Sequence, residues 1–499
     1  MKRVVFILTL AFVSMCAIST AKAQNVDIQK ANEVGVVIEQ IADEAQVVEE
    51  IAVIGENIVS TVEASDCNSV GSKKVEATSF LHKEFSKDSS IFGYKVGVTA
   101  LTLGKVIMIL IALFFFYLAI VNRFEPLLLL PLAFGILIAN IPGANLSAYD
   151  YFTTSDPITG ESVERLGLLH FLYGGIINVI YPPMIFLCIG SMTDFGPLIA
   201  NPRTAFIGLG GQLGIFVAFG GAFFLLGTGT VGPDGSMVFP PLTSLIHYFD
   251  PSFAGFNLGE AASIGIIGSS DGPTSIFAAS MMAPQILSTV AIAAFSYMAL
   301  VPFIQPPIMK LLTTDKERVV VMPEPSKVTK TQKIVFPIIL TVIVLLLVPA
   351  AGTLVGMFML GNLIRESGVT GRYLDTLQNA FLNILTLLVA ISIGSSARAD
   401  YFLTTTTIIV VVLGLIAFAF GTVGGVMIAK LLYITTGGKV NPLIGNSGVS
   451  AMPMAARISQ KMGQHYNSQN HLLMHAMGPI VSSTVFSAIV AGLFIAIAN

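Results

Sequence analysis

The stretch "IIGSSDGPTSI", residues 266–276, and a later one, "LIGNSGVSAMP", residues 443–453, place glycine, proline and hydroxylated residues inside long apolar surroundings. Glycine and proline interrupt helices. Non-helical backbone at membrane depth is tolerated only where protein or a wet cavity satisfies its polar groups. The two stretches therefore predict two broken membrane segments that face each other across a site.

Composition supports a membrane location for most of the chain. The 499 residues are 54% hydrophobic and only 11% charged, and apolar runs near the length of a bilayer span recur from about residue 97 onward. A net charge of −3 without a long basic stripe argues against a nucleic-acid partner. Cys16, Cys67 and Cys188 are too far apart in sequence to indicate a disulfide framework or a zinc site.

The N-terminus has the pattern of a secretory signal peptide over residues 1–23. Lys2 and Arg3 precede a short apolar core that ends in Ala21-Lys22-Ala23. An uncleaved first span is the alternative, although the core is short for one. Residues 24–96 are polar and acidic, and we interpret them as an extracytoplasmic appendage that packs or contacts another subunit.

The remaining chain predicts a first transmembrane half, 97–314, a basic linker, 315–333, and a second half, 334–499. Lysine and arginine favour the cytoplasmic side, so the linker should be cytoplasmic and the appendage outside. This topology requires segment 258–283 to enter the membrane and return. Spans are predicted near residues 98–121, 124–141, 167–189, 204–228 and 286–310, and near residues 334–349, 351–366, 376–397, 404–432 and 472–497.

The predicted fold is an all-α polytopic membrane protein with about ten crossings plus two broken or re-entrant segments. An odd number of crossings in each half inverts the second half relative to the first, as in many ion-coupled transporters. A weak internal similarity agrees with such an inverted repeat, because "CIGSMTD" at 188–194 resembles "SIGSSAR" at 392–398.

Two carboxylates lie beside helix-breaking residues in these segments, Asp194 in "GSMTDFGP" and Asp271 in "GSSDGPTS". A charge at membrane depth costs about 2.5–3.5 kcal/mol or more, which favours a functional role. A helix cap is the alternative for Asp194, and a turn-forming role is the alternative for Asp271.

Neutral oxygens accompany the second broken segment at Asn441, Ser447 and Ser450. Hard monovalent cations prefer oxygen donors with little net charge, so the pattern indicates sodium or a proton. No histidine–cysteine cluster with transition-metal spacing occurs, which disfavours a redox metal.

Arg457 follows the second broken segment. Its planar guanidinium can bind a carboxylate through two parallel hydrogen bonds. The alternative is that Arg457 serves as a positive-inside anchor.

These segments resemble a known family. "GSMTDFGPLIANPR", "GSSDGPTSIF", "GNLIRESGV", "NPLIGNSGVSAMPMAAR" and "HLLMHAMGP" resemble signature segments of the beta subunits of sodium-pumping biotin-dependent decarboxylases, typified by oxaloacetate decarboxylase. The resemblance runs from about residue 100 to the C-terminus. It implies a carboxybiotin decarboxylase subunit of the bacterial inner membrane that exports sodium and consumes a proton.

By position, the resemblance implies that Asp194, Asn441 and Ser450 hold sodium, that Gly445 permits close backbone approach, and that Arg457 orients carboxybiotin. Asp194 and Arg457 are thus the expected catalytic pair, and Asp271 and Ser447 are further candidates for ion contacts. One position departs from the family pattern, because Ile480 stands where many relatives have an asparagine.

The resemblance also implies biotin on a partner, an alpha subunit with carrier and carboxyltransferase functions, a small single-span gamma subunit, membrane lipid and homo-oligomers within the complex. It does not say which carboxylic acid or acyl-CoA the complex uses. A sodium-coupled carboxylate transporter without chemistry would need the same broken helices, Asp194 and Arg457, and is the alternative function.

Overall fold

The computed structural model describes residues 90–91, 94–95, 101–142, 146–149, 151–155, 162–228, 230–231, 237–238, 240–324, 326–452 and 454–498. The predicted signal peptide and nearly all of the predicted appendage lie outside these residues. The chain divides into two compact units, Met1–Leu113 with Asn140–Asn145, and Phe114–Ala139 with Leu146–Asn499. Every candidate site residue belongs to the second unit.

The first part of the described chain consists of helices with short hairpins between them. The helices are α1 (Leu103–Ile120), α2 (Pro126–Ala139), α3 (Leu168–Ile177), α4 (Tyr181–Met192), α5 (Gly196–Ala200), α6 (Ala205–Gly211), α7 (Leu213–Gly220), α8 (Pro241–Phe249), α9 (Leu258–Ile266), α10 (Gly272–Met282) and α11 (Leu287–Leu312). The antiparallel hairpins are β1 (Ser90–Ile91) with β2 (Tyr94–Lys95), β3 (Tyr151–Ser155) with β4 (Ser162–Leu166), and β5 (Thr230–Val231) with β6 (Met237–Val238).

The second part contains helices only, within the described residues. They are α12 (Asp315–Arg318), α13 (Lys330–Leu347), α14 (Gly352–Ser367), α15 (Gly371–Thr376), α16 (Leu382–Ser396), α17 (Ala399–Phe402), α18 (Thr405–Thr435), α19 (Met454–Tyr466) and α20 (Leu473–Ala498). Short 3₁₀ turns at Pro202–Thr204, Ile267–Ser269, Pro284–Ile286, Pro349–Ala351 and Pro442–Gly448, and π-helical turns at Gly221–Leu225 and Leu377–Phe381, join or extend them.

The long helices make this a helical membrane protein. Six helices in the described residues are long and apolar enough to cross a bilayer, and up to eight if each of two bent helix pairs counts as one span. The bends measure 68° between α3 and α4 and 62° within α11. Prolines explain both, because Pro182 and Pro183 open α4 and three prolines lie inside α11.

A helix lies at each position where the sequence predicts a span, and the two predicted interruptions are present. The first runs through α9, the turn Ile267–Ser269 and α10. The second is the turn Pro442–Gly448, which precedes α19. The β3–β4 and β5–β6 hairpins, which the sequence does not predict, lie in the connections before α3 and α8.

Helices from the two predicted halves pack in a reciprocal pattern. α4 packs on α14, and α2 packs on α16. Glycine makes both contacts close: a Cβ on Gly190 or Gly361 would clash with backbone between α4 and α14, and a Cβ on Gly135 or Gly394 would clash between α2 and α16. Gly190 and Gly394 occupy the same place in the two similar stretches "CIGSMTD" and "SIGSSAR".

The close approach of α4 and α14 can be tested by comparing two glycine substitutions on α14. Gly361→Ala should lower the thermal stability of the purified protein, because the added methyl would clash with the Leu187 carbonyl. Overpacking of this kind costs about 1–3 kcal/mol. Gly356→Ala, also on α14, is the control, since a Cβ there meets nothing within 4 Å. Equal melting temperatures for the two variants would contradict the proposed packing.

Candidate functional site

The two broken segments meet directly through their backbones. The Ser450 amide donates a hydrogen bond to the Ser269 carbonyl, with 2.9 Å between nitrogen and oxygen. Ser269 is fully buried and Ser450 is 7% exposed. The bond satisfies polar groups that the interrupted helices leave without an intrahelical partner.

Asp271 lies at the break in the first segment and caps α10. Its carboxylate accepts hydrogen bonds from the Thr274 hydroxyl at 2.7 Å, the Thr274 amide at 3.4 Å and the Ser487 hydroxyl at 3.3 Å. The side chain is buried, and no ion pair to it occurs among the described residues. Asp271 is therefore a helix N-cap, whereas the sequence offered a turn-forming role as the alternative to an ion contact.

A row of buried hydroxyls on α20 borders both breaks. Ser487 contacts Asp271, and Ser483, one helical turn earlier, accepts a hydrogen bond from the Ser450 hydroxyl at 3.1 Å. The Gln212 side-chain amide, from the residue between α6 and α7, also donates to the Ser483 hydroxyl at 3.1 Å. α20 thus links the carboxylate of one broken segment to the serine of the other.

Asp194 follows α4 and already has a cationic partner. Its Oδ1 accepts hydrogen bonds from the Gly196 amide at 2.8 Å and from Lys333 Nζ, in the first turn of α13, at 2.7 Å. Burial raises the pKa of Asp194, but the hydrogen bonds from Lys333 and Gly196 and the nearby positive charges outweigh it and hold the pKa below its usual value. Asp194 is therefore ionised near neutral pH and compensated within the protein.

Asn441 is fully buried and ties the linker to the second broken segment. Its amide donates to the carbonyls of Arg318 and Val320 at 3.0 and 2.8 Å. Its oxygen accepts from the Leu443 amide at 2.9 Å, which starts the turn Pro442–Gly448. In this conformation Asn441 has only the second lone pair of its oxygen left for an ion.

Arg318 lies in the linker that the sequence predicts to be cytoplasmic, and its side chain is buried. Its guanidinium donates to the Thr313 hydroxyl at 2.9 Å and to the Tyr466 hydroxyl at 3.1 Å. It also lies 5.0 Å from the centre of the Tyr466 ring and pairs with Asp315 at 2.6 Å. The guanidinium has enough partners to be buried, and it fastens the start of the linker to α19.

Gly445 and Ser447 make packing contacts in the second broken segment. A Cβ on Gly445 would clash with the backbone of Val426 in α18, so the close approach requires glycine. The Ser447 hydroxyl lies 3.3 Å from the Ser459 hydroxyl of α19. Ile480 is fully buried, and its apolar side chain offers no ion ligand.

Arg457 lies on α19 with an exposed side chain. It makes no hydrogen bond or ion pair with the described residues, although its positive charge interacts electrostatically with Glu125, between α1 and α2. Arg457 is thus available to an external carboxylate.

A cavity of about 470 Å³ lies beside the segments that carry Asp194 and Asn441. It is lined from four parts of the chain, and its lining includes Pro197, Asn201, Arg203, Glu324, Lys439 and His475. Polar groups and charged groups of both signs therefore surround a space next to both motifs.

Several residues at the site have no assigned role from sequence alone, namely Lys333, Thr274, Gln212, Ser483 and Ser487. The stretch "PIVSSTVFS" at 479–487 carries a signal for two of them, because its hydroxyls recur four residues apart and so share one helix face. Lys333 gives no such signal, since a lysine near the start of an apolar helix is typical of a membrane anchor.

Comparison with known proteins yields one family and several close relatives. Residues 104–498 match the family described as "Na+-transporting oxaloacetate decarboxylase beta subunit". The methylmalonyl-CoA decarboxylase subunit beta of Veillonella parvula is 47% identical over 400 residues, which cover 80% of this chain and 95% of the relative. The glutaconyl-CoA decarboxylase subunit beta of Acidaminococcus fermentans is 46% identical, with the same coverage. The oxaloacetate decarboxylase beta chain of Klebsiella pneumoniae is 43% identical over 440 residues, covering 80% of this chain and 96% of the relative.

The contacts of Asn441 predict a structural effect that can be measured without turnover. Asn441→Ala should lower the thermal stability markedly, because the Val320 carbonyl and the buried Leu443 amide lose their partner, at about 1–3 kcal/mol for each unsatisfied group, and the Arg318 carbonyl keeps only Asn470. Asn467→Ala is the matched control: its amide donates to the Val319 carbonyl and its oxygen accepts from the amide two residues on, at a more exposed site. An equally small effect for both variants would show that Asn441 does not hold the linker.

Proposed function

The chain belongs to the family of Na⁺-transporting oxaloacetate decarboxylase beta subunits, and we propose that it is the membrane subunit of a sodium-translocating decarboxylase. In this role it decarboxylates carboxybiotin, exports sodium and consumes a proton. The observation that carries the proposal is the family match over residues 104–498, which includes both broken segments and their polar residues.

The proposal includes partners, since the chemistry needs biotin and the chain has no Met-Lys-Met stretch of the kind that carries it. A biotin-carrying alpha subunit supplies carboxybiotin, and a small gamma subunit completes the complex in the inner membrane. The segment before α1 then lies outside and the linker in the cytoplasm, as the distribution of basic residues predicts.

We extend the proposal to an inverted repeat of about ten crossings and two re-entrant segments. The reciprocal packing of α4 on α14 and of α2 on α16 supports it, because a two-fold relation between halves generates such a pair of contacts. The matched positions of Gly190 and Gly394 in those contacts give further support.

In the proposed sodium site, Asp194, Asn441 and Ser450 provide the oxygen ligands and Gly445 allows the backbones to approach. Oxygen donors suit a hard cation. Lys333 Nζ holds Asp194 in the described conformation, so sodium has to displace the ammonium group before it contacts Oδ1. We therefore assign Lys333 the role of an internal competitor for sodium.

Arg457 is the proposed contact for the carboxylate of carboxybiotin, because its planar fork matches a carboxylate and its charge is exposed. In decarboxylation the bond between the ureido nitrogen and the carboxyl carbon breaks, CO₂ leaves, and the nitrogen keeps the electron pair and takes a proton. Coupling requires that carboxybiotin and sodium favour one conformation over the other. Export of one charge against 100 mV takes about 2.3 kcal/mol, which the decarboxylation has to supply through this coupling.

The test is purification of the complex from native membranes on avidin, followed by assays of decarboxylation and of sodium uptake into inverted vesicles. We expect this chain to copurify with a biotinylated subunit and both activities to require sodium. Sodium-driven carboxylate uptake without decarboxylation would instead identify a symporter and refute the proposal.

Substitutions of Asp194 and Lys333 should have opposite effects on sodium dependence. Asp194→Asn removes the charge that attracts the cation, so sodium-stimulated decarboxylation should be lost or require far more sodium. Lys333→Gln removes the competing ammonium group, so half-maximal stimulation should occur at a several-fold lower sodium concentration.

Lys430→Gln is the control for these two variants, because Lys430 also pairs with a carboxylate, Glu317, at 3.4 Å. Its sodium dependence should match that of the wild type. If Asp194→Asn and Lys333→Gln only lower stability and leave the sodium dependence unchanged, their ion pair is structural and the sodium site lies elsewhere.

Arg457→Lys separates a carboxylate contact from a membrane anchor. Lysine keeps the positive charge but loses the two-pronged geometry, so the KM for free carboxybiotin should rise while the complex still assembles. Near-normal decarboxylation by this variant would assign Arg457 to anchoring.

A further inference from the structure

A buried pair of side-chain amides joins the bent helix α11 to the second broken segment. The Gln305 nitrogen donates to the Asn446 backbone carbonyl at 3.0 Å, and the Gln305 side-chain oxygen accepts from Asn446 Nδ2 at 2.9 Å. Both side chains are fully buried. Asn446 lies in the turn Pro442–Gly448, which the proposed sodium ligands Asn441 and Ser450 flank. Gln305 therefore supplies both a donor and an acceptor to this turn.

Asn446 also contacts α19, the helix that carries Arg457. Asn446 Nδ2 donates to the Ala455 carbonyl at 2.9 Å, and Asn446 Oδ1 accepts from the Ser459 hydroxyl. Ala455 and Ser459 lie two residues before and two residues after Arg457, and both are fully buried. Asn446 thus holds the turn of α19 from which the exposed Arg457 side chain extends.

We propose that Gln305 is a positioning residue that couples the sodium site to the carboxybiotin contact at Arg457. Through Asn446 it joins the turn Pro442–Gly448 and the start of α19 into one rigid unit. A shift of the sodium ligands that flank the turn therefore moves Arg457 as well. The inference rests on the proposed function, since it names the residue through which the two ligands of that function affect each other.

Gln305 selects the orientation of the Asn446 side chain. The Asn446 backbone carbonyl only accepts hydrogen bonds, so the Gln305 nitrogen faces it and the Gln305 oxygen is left to accept from Asn446 Nδ2. The Ser459 hydroxyl can donate or accept, and so it does not select an orientation. Gln305 and the Ala455 carbonyl together keep Asn446 in the orientation that links the turn to α19.

The network is closed, which makes it stiff. Ser447 belongs to it as well, since its hydroxyl lies 3.3 Å from the Ser459 hydroxyl. Gln305, Asn446, Ser447 and Ser459 are all fully buried, and each of their polar side-chain atoms has a hydrogen-bond partner. Removing one member leaves buried partners unsatisfied, so the network resists gradual deformation. A link of this kind transmits a change between two sites when it has discrete arrangements.

α19 is attached to the α11 side of the molecule at both of its ends. Near its start, Ser459 is linked to Gln305 through Asn446. Near its end, the Tyr466 hydroxyl accepts from Arg318, in the linker that follows α11. Two attachments on one helix prevent it from rotating independently, so α19 and Arg457 move together with α11 and the turn.

The sodium requirement of the assembled complex, measured with free carboxybiotin as substrate, tests the inference. In the wild type, half-maximal activation should need about fivefold less sodium at saturating than at low carboxybiotin, because coupled ligands strengthen each other. Gln305→Met keeps an unbranched side chain of similar length and removes both hydrogen bonds. This variant should still decarboxylate, but carboxybiotin should change its sodium requirement by less than about twofold.

Thr289→Val is the matched control for this variant. Thr289 is a buried polar residue of the same helix, and its hydroxyl lies 3.1 Å from the Thr407 hydroxyl of α18. Its loss should lower the thermal stability and leave the effect of carboxybiotin on the sodium requirement as in the wild type. Ser459→Ala removes the contact from the α19 side and should weaken that effect, so it keeps the test decisive if Gln305→Met fails to assemble.

Three results would overturn the inference. One is a wild-type sodium requirement that does not change with carboxybiotin. Another is a normal effect of carboxybiotin in Gln305→Met, or in Ser459→Ala if only that variant assembles. The third is an equal loss of the effect in Thr289→Val. All three differ from failure of the proposed function, in which the wild-type complex shows no sodium-dependent decarboxylation at all.

Discussion

The architecture depends on one constraint, the need to satisfy backbone polar groups where two helices are interrupted inside the apolar part of the molecule. The Ser450 amide and the Ser269 carbonyl meet this need for each other. Because neither group can turn to lipid, the two interruptions have to lie together and be enclosed by helices. α18 and α20 enclose them, and the glycines of α18 let it approach closely.

The sequence predicts the helices and the two interruptions because both depend on local composition. Apolar length identifies a span, and glycine, proline and serine within it identify a break. The hairpins were not predicted, since β3 and β4 lie in a polar connection without a clear alternation of apolar residues. The burial of Arg318 was not predicted either, because its partner Tyr466 lies 148 residues away. Such contacts are a property of the fold and leave no local pattern.

In the candidate site, too, the sequence reveals features with a local pattern but not contacts between distant residues. Asp194 and Asp271 stand out in the sequence as carboxylates among helix breakers. The partner of each carboxylate is not visible there, because Lys333 and Asp194 are 139 residues apart and Ser487 and Asp271 are 216 residues apart. Asn441 is a similar case: its amide suggested an ion ligand, and in the structure it also holds the linker through two carbonyls.

The ion pair of Asp194 with Lys333 has a consequence for how strongly an ion at Asp194 could be held. Lys333 is part of the same chain, so its ammonium group competes at a fixed effective concentration that does not fall when the protein is diluted. The apparent affinity for sodium at this position would then be lower than the intrinsic affinity, because sodium binds only the fraction of the protein in which Lys333 has left Asp194. A site of that kind releases its ion readily into a dilute compartment, because an intramolecular cation is always ready to replace it.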